Sequence, residues 1–440
     1  MLLLKKNAKR LLLLALVLLL LLPAGQAKYE WLEPGELAGF YETAAPRPEL
    51  TLESFTTNTY QPALERYLDE QLGFRTWLIK ARNQLSFSLL HESDNPDLYV
   101  GRDNTLFDAR TLYGYTGLDA ADESTVQRHI RRLRVVQDTL ARRGKLLVFV
   151  AAASKASFAP ENMPPYFRRF PRKRSNYENY TAAMRKARIN LLDLSQVVRS
   201  WKDTATYPLF PRYGGHWSNY AAALAGDTLM RYVEKKYGHN LRDYRLLAGE
   251  VSNQPRDNDT DTEKPLNLWS PLAPYDMRYP WVEYEPLKPG QSRPNVLIMG
   301  DSFVFTVLYT FFAQAFDDKL SRYWLRNVVS ETIVWPSDIP EGRDIKVLDH
   351  KAQYLARDII VVMFTEYNMN QQLDYGFSDD AYRLFVPYSR ADSLRVRTLE
   401  HQIGQNARLA DYWWTKSADT GRSTAQLIHE AAVARYDSIR

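Results

Sequence analysis

Apolar residues along the chain fall into two alternating kinds of run. The short unbroken ones, "KLLVFVAAA" (145–153), "NVLIMG" (295–300) and "RDIIVVMF" (357–364), are bounded by polar residues or glycine. Their length and lack of alternation predict strands buried on both faces, as in a parallel sheet. Between them, apolar residues recur at three- and four-residue spacing over 63–90, 124–144, 178–189, 219–238 and 302–316, which predicts helices. The helix over 124–144 begins at a Ser or Thr cap and stops at a glycine, and the one over 219–238 also ends on glycine. "NLLDLSQVV" (190–198) carries a further strand, and "DLYVGRDNTLFD" (97–108) reads as a hairpin turning on Gly, Asp and Asn. Strands alternating with helices predict an α/β domain, a parallel sheet flanked by helices. Residues 28–60 read as an irregular lead-in. The polar, proline-rich 250–293 reads as an excursion or linker with little regular structure. From 391 onward the pattern is helical with a break at Gly421.

The N-terminus follows different rules. Lys5, Lys6, Lys9 and Arg10 precede an apolar run from Leu11 to Leu22, broken by Pro23, with Gly25 and Ala27 at the small-residue positions of a signal peptidase site. The run is short for a span of about 20 residues and has the length of a secretory h-region. The expectation is export, with 1–27 a signal peptide or an N-terminal anchor. That places the chain in the periplasm or on the outer face of the inner membrane.

Composition narrows the chemistry. A chain of 440 residues exceeds what one core usually organises, and 45% hydrophobic with 25% charged residues is an ordinary globular balance. The absence of cysteine excludes disulfides, thiol nucleophiles and thiolate metal sites. A net charge of +5 falls short of a nucleic-acid footprint, and the basic runs 128–134 and 167–174 read as solvated faces. The 28 Tyr, 18 Phe and 10 Trp serve mainly the core, although such rings also line sugar-binding surfaces. No metal or cofactor site is expected, since His216 has no second histidine at ligand spacing.

Three stretches carry polar groups to the carboxyl edge of the expected sheet, where ligands bind in such folds. "NVLIMGDSF" delivers Asp301 and Ser302 after a buried strand, at a helix start where backbone N–H groups favour an oxyanion. A cap would explain that serine equally well. "PRYGGHWSNY" (211–220) holds His216, a base that would activate a serine hydroxyl. "VVMFTEYNMN" (361–370) delivers Glu366, Tyr367 and Asn368. Lys155, after another strand, is a candidate contact for an anionic sugar.

"GDSF" after an apolar strand resembles the first block of the SGNH hydrolases, but here the histidine precedes the serine. That order resembles the circularly permuted SGNH domain of the alginate O-acetyltransferases AlgX and AlgJ and their DHHW relatives. "YLDEQLGFRTWLI", "VGRDNTLFD", "LLVFVAAASKASFAPENMP", "GGHWSNYAAALAGDTL" and "MGDSF" occur in the family's order, over residues 50 to 375. The chain then divides into a lead-in and helical segment over 28–90, an SGNH-like domain over 91–388 and a helical extension over 389–440 that the resemblance does not cover. The resemblance implies an exported serine O-acetyltransferase acting on a cell-surface or secreted polysaccharide, supplied with acetyl groups by a membrane-bound acyltransferase. An esterase of the same fold or a non-catalytic polysaccharide-binding protein is the alternative. Ser302 would be the nucleophile and His216 the base, with the Ser302 N–H, Asn368 or Tyr367 as oxyanion donors and Trp217 beside the substrate. The family's Asp-x-His-Trp pattern is broken, because Gly214 stands where the aspartate belongs. Either the pair acts as a dyad, or the acid comes from elsewhere, with Glu366 ahead of Asp203 and Asp301, or catalysis is lost.

Overall fold

Side chains alternate across a strand, so a sheet covered on both faces needs apolar residues at every position. In the computed structural model, Leu146–Ala152, Val296–Gly300 and Ile359–Thr365 are buried along their whole length. The structure describes residues 2–439 apart from 34, 40–44, 257, 308–310, 312, 318, 326–327, 331–342, 346–347 and 371–372. Its main sheet has seven strands in the order Arg343–Asp344, Val328–Ser330, Arg322–Leu325, Val296–Gly300, Ile359–Thr365, Leu146–Ala152 and Leu191–Asp193. The last five are mutually parallel, and the first two add antiparallel at one edge. One face, with Val148, Val150, Ile298, Val361 and Met363, packs on the helix Asn219–Tyr237. The other, with Leu147, Phe149, Leu297, Ile360 and Val362, packs beneath Glu123–Ala141, Asn176–Lys186 and Phe377–Phe385. This is the expected α/β architecture.

Local chemistry sets the element ends. Ser218 caps its helix by accepting from the Ala221 N–H at 3.1 Å, and Gly238 closes it with φ of 74°. Asp122, not a following Ser or Thr, caps Glu123–Ala141. The predicted helix over 63–90 is broken: Tyr60–Glu70 and Arg75–Leu85 are separated at Gly73 and Phe74. Of the helix expected over 302–316, Phe303–Val307 and Ala313–Ala315 are helical, and 308–310 and 312 lie outside the described residues. The N-terminal helix Leu2–Tyr29 contains a 22-residue stretch, Ala8–Tyr29, long and apolar enough to cross a membrane, and a signal sequence has the same character. Three C-terminal helices, Arg390–Gly404, Ala410–Thr420 and Thr424–Ile439, share a small core around Val396, Trp413 and Leu427. Arg383 anchors them through Asp437 at 2.6 Å.

The segment 250–293 departs from its linker reading. Its ends belong to a hairpin in which Tyr244–Ser252 pairs antiparallel with Met277–Tyr284, and the intervening loop folds back over the loop before His216. Polar and proline-rich composition concealed this, because the loop is held by main-chain bonds rather than by apolar periodicity.

Gly300 ends its strand where a Cβ would stand 2.0 Å from the Met363 carbonyl oxygen and 2.6 Å from Val304. Gly300→Ala forces the two central strands apart, and destabilisation of about 1–3 kcal/mol is expected by chemical denaturation. An unchanged midpoint would refute this packing.

Candidate active site

The strand Val296–Gly300 lies in the middle of the sheet, and Asp301 and Ser302 follow it directly. Asp301 is buried, and its Oδ2 accepts from the Thr365 N–H at 2.8 Å, the Asn368 amide at 2.7 Å and the Thr365 hydroxyl. Its Oδ1 accepts from the Phe303 N–H at 3.1 Å. A buried carboxylate without such donors would be costly; satisfied, it ties the serine turn to the end of the neighbouring strand. Ser302, half-buried, is thereby held at the carboxyl edge.

His216 Nε2 lies 2.7 Å from Ser302 Oγ, and its Nδ1 lies 2.5 Å from Asp261 Oδ2. The other carboxylate oxygen of Asp261 accepts from the Gly215 N–H at 2.6 Å. The imidazole ring packs 4.8 Å from the ring of Phe303, the residue after the serine. Burial works against the charge of Asp261, yet the hydrogen bond and charge of His216, the Gly215 N–H and the nearby Lys155 cation hold its carboxyl below the ordinary range. The serine, imidazole and carboxylate thus lie in hydrogen-bonded series, the arrangement of a Ser-His-Asp triad.

The carboxylate that pairs with His216 therefore comes from the 250–293 segment. Gly214 explains why: a Cβ there would sit 2.1 Å from the Asn258 carbonyl oxygen, so the strip of chain that brings Asp261 occupies the space a side chain at 214 would need. Backbone groups of the histidine loop take up much of this contact. Glu263 N–H donates to the Tyr213 carbonyl at 3.0 Å, and Lys155 donates to the carbonyls of Arg212 at 2.8 Å and Gly214 at 2.7 Å.

Several expected roles change. Glu366, proposed as the acid, is turned away from His216. It accepts from the Arg199 guanidinium at 2.9 Å, from Ser154 at 3.3 Å and from Ser195, joining the ends of three strands. Burial raises its pKa against the pull of Arg199 and the Ser195 hydroxyl. Trp217 is 1% exposed and donates to Thr306 at 2.5 Å, so it braces the serine-bearing turn and cannot border a substrate. Lys155 is 2% exposed and its amine is spent on the histidine loop, which removes it from any sugar surface. Asn368 is committed through Nδ2 to Asp301. Tyr367 is half-buried, its ring 5.5 Å below the Arg110 guanidinium, and burial raises its phenol pKa. Asp203 and Asp301 do not contact His216 in this arrangement; Asp301 instead anchors the turn. The one partner sequence reasoning missed is Asp261, 45 residues after the histidine. The signal that could have found it was the Gly-Gly pair before His216, since adjacent glycines mark close approach of another backbone.

A Gly-Asp-Ser turn after a central parallel strand, with a histidine from a helix-capping loop beside its serine, sits in an SGNH hydrolase-like α/β domain. The chain belongs to the AlgX family: the family model for the SGNH hydrolase-like domain of acetyltransferase AlgX matches residues 98–332. Among solved structures, the O-acetyltransferase domain of Pseudomonas putida AlgJ is similar at 18% identity and a TM-score of 0.42, over 66% of this chain and 100% of that one. Pseudomonas aeruginosa AlgX matches at 14% identity and a TM-score of 0.38, over 61% of this chain and 55% of its own. A DHHW family protein from Eubacterium siraeum matches at 8% identity and a TM-score of 0.32, over 59% and 88%. No curated protein matches the chain in sequence.

Lys155 gives the site a measurable signature. Burial pushes its ammonium down to about 7, against the opposing pull of Asp261. Between that value and the ordinary 10.5, the unfolded chain binds a proton that the folded chain has lost. Stability contributed by this residue therefore rises with pH across that window, and below it the buried cation opposes folding. Thermal midpoints of Lys155→Met plotted against pH should run flatter than those of the wild type there. Parallel curves would contradict the assignment.

Proposed function

We propose that the protein is a serine-dependent O-acetyltransferase that acetylates a polysaccharide hydroxyl through an acyl-serine intermediate. The Ser302–His216–Asp261 alignment carries this reading. His216 Nε2 takes the proton of Ser302 Oγ as the oxygen attacks the acetyl carbonyl of a donor. Asp261 keeps the Nδ1–H in place and balances the imidazolium. The Ser302 N–H, at the turn, is the proposed oxyanion donor. Collapse releases the donor's leaving group, which takes the proton back from His216, and leaves acetyl-Ser302. A sugar hydroxyl then gives its proton to His216 and attacks the acyl carbon; the acyl–Oγ bond breaks, Ser302 Oγ takes that proton from His216, and the acetylated sugar leaves.

The family supports acetyl transfer, and AlgX and AlgJ are its named members among the similar structures. The apolar N-terminal helix supports an exported protein, held at or released from a membrane, where a membrane-bound acyltransferase would supply acetyl groups. Transfer and hydrolysis use the same three residues, so exclusion of water from acetyl-Ser302 decides between acetyltransferase and esterase.

Intact-mass spectrometry after incubation with an activated acetyl ester tests the reading. Wild type should gain a single acetyl group, and Ser302→Ala none. Asp261→Asn should slow its formation on the order of 10³–10⁴-fold by presenting the wrong imidazole tautomer. An adduct that persists in Ser302→Ala, or an Asp261→Asn variant as fast as wild type, would sink it.

A further inference from the structure

A cavity of about 620 Å³ opens between the 255–277 loop and the lead-in, within the range of small-molecule and cofactor sites. Its walls include Tyr213, three residues before His216, and Asp259, Thr260 and Glu263, which flank Asp261. One wall of the cavity is thus built from the segments that carry the base and the acid.

The cavity combines aromatic surface with unspent cations. Trp269 is 53% exposed; its backbone N–H donates to Gln84 Oε1 at 3.1 Å, and its ring is held edge-on against Trp77 at 5.8 Å. Tyr275 packs edge-on against Tyr213 at 5.7 Å behind it. Asn267 clamps the rim by exchanging hydrogen bonds with both backbone groups of Ala38, at 2.6 and 2.9 Å. Lys80 and Lys264 line the cavity, and neither forms an ion pair among the described residues. Two of the carboxylates are already engaged: Asp259 accepts from the Tyr279 hydroxyl at 2.6 Å, and Glu263 accepts from the Leu272 N–H at 2.7 Å.

These features select an occupant. A purely apolar one would cover two ammonium groups without satisfying them. A polyphosphate or polysulfate, with more than one charge on each unit, would meet Glu36, Asp259 and Glu263 in the same space. A sugar ring has an apolar C–H face for a fixed tryptophan and hydroxyls for lysine donors, and meets both conditions. We propose that this cavity binds a stretch of the acceptor saccharide chain, stacked on Trp269 and held by Lys80 and Lys264. The proposal deepens the acetyltransferase reading and rests on it for the identity of the acceptor.

The test is binding, separated from chemistry. Full-length protein in detergent is titrated by calorimetry with a neutral glucan hexaose and with a uronic acid hexaose. Binding of either to wild type and to Ser302→Ala is expected, since no acyl step is involved. Trp269→Ala and the double variant Lys80→Gln/Lys264→Gln should each weaken it about tenfold or more, with thermal midpoints near wild type reporting an intact fold. If wild type binds neither hexaose, or both variants bind as wild type does, the proposal is overturned. A missing acetyl adduct on Ser302 would instead remove the enzymatic reading and leave the binding result standing.

Discussion

The hydrogen bond from His216 Nδ1 to Asp261 joins two segments that no local pattern connects, and much of the site is arranged around it. An imidazole held only by its neighbours in sequence would be free to rotate away from the serine. Here its position is set from three directions: Asp261 through Nδ1, Phe303 against the ring face, and the helix-capping Ser218 two residues on. For the carboxylate to arrive, the loop after Ser252 must lie within van der Waals distance of Gly214. Glycine at 214 and the backbone bond between Glu263 and Tyr213 make that approach feasible.

The buried lysine belongs to the same construction. Bringing a second strip of chain against the histidine loop turns carbonyls of that loop inward, where each needs a donor. Lys155 supplies two of these bonds and Leu106 another, to the Arg212 carbonyl at 2.9 Å. A cation at this spot also faces Asp261, so the carboxylate that orients the imidazole is itself balanced from behind. A positive charge in such a position is unfavourable by burial alone, which is why its proton is loosely held.

The sheet and its Gly-Asp-Ser turn could be read from the chain because each rests on a local rule. Unbroken apolar runs mark two-sided burial, and Gly-Asp-Ser after such a run marks a turn at the carboxyl edge. His216 could be read for a similar reason, next to a capped helix of strong periodicity. The acid could not. "RDNDTDTEK" offers three aspartates in a segment without periodicity, and which of them faces the histidine depends on a hairpin whose strands lie on either side of it. Local pattern favours Glu366, which directly follows a buried strand at the same edge. Its surroundings decide otherwise: Arg199, Ser195 and Ser154 surround it, each arriving from a different stretch of sequence. Trp217 misled for a related reason, because proximity to the base in sequence says nothing about which side of the sheet the ring enters.

Moving the acid to a long loop changes what can influence it. When an aspartate sits two residues before the histidine, acid and base share one short turn and respond together. With Asp261 on the 253–276 loop, the acid shares its segment with Asp259, Thr260 and Glu263, which face the cavity under Trp269. Anything that shifts this loop acts first on the Asp261 carboxylate, while Ser302 stays fixed by Asp301 to the sheet. The serine turn and the carboxylate that faces His216 are thus tied to different parts of the chain, the one to the sheet and the other to the loop.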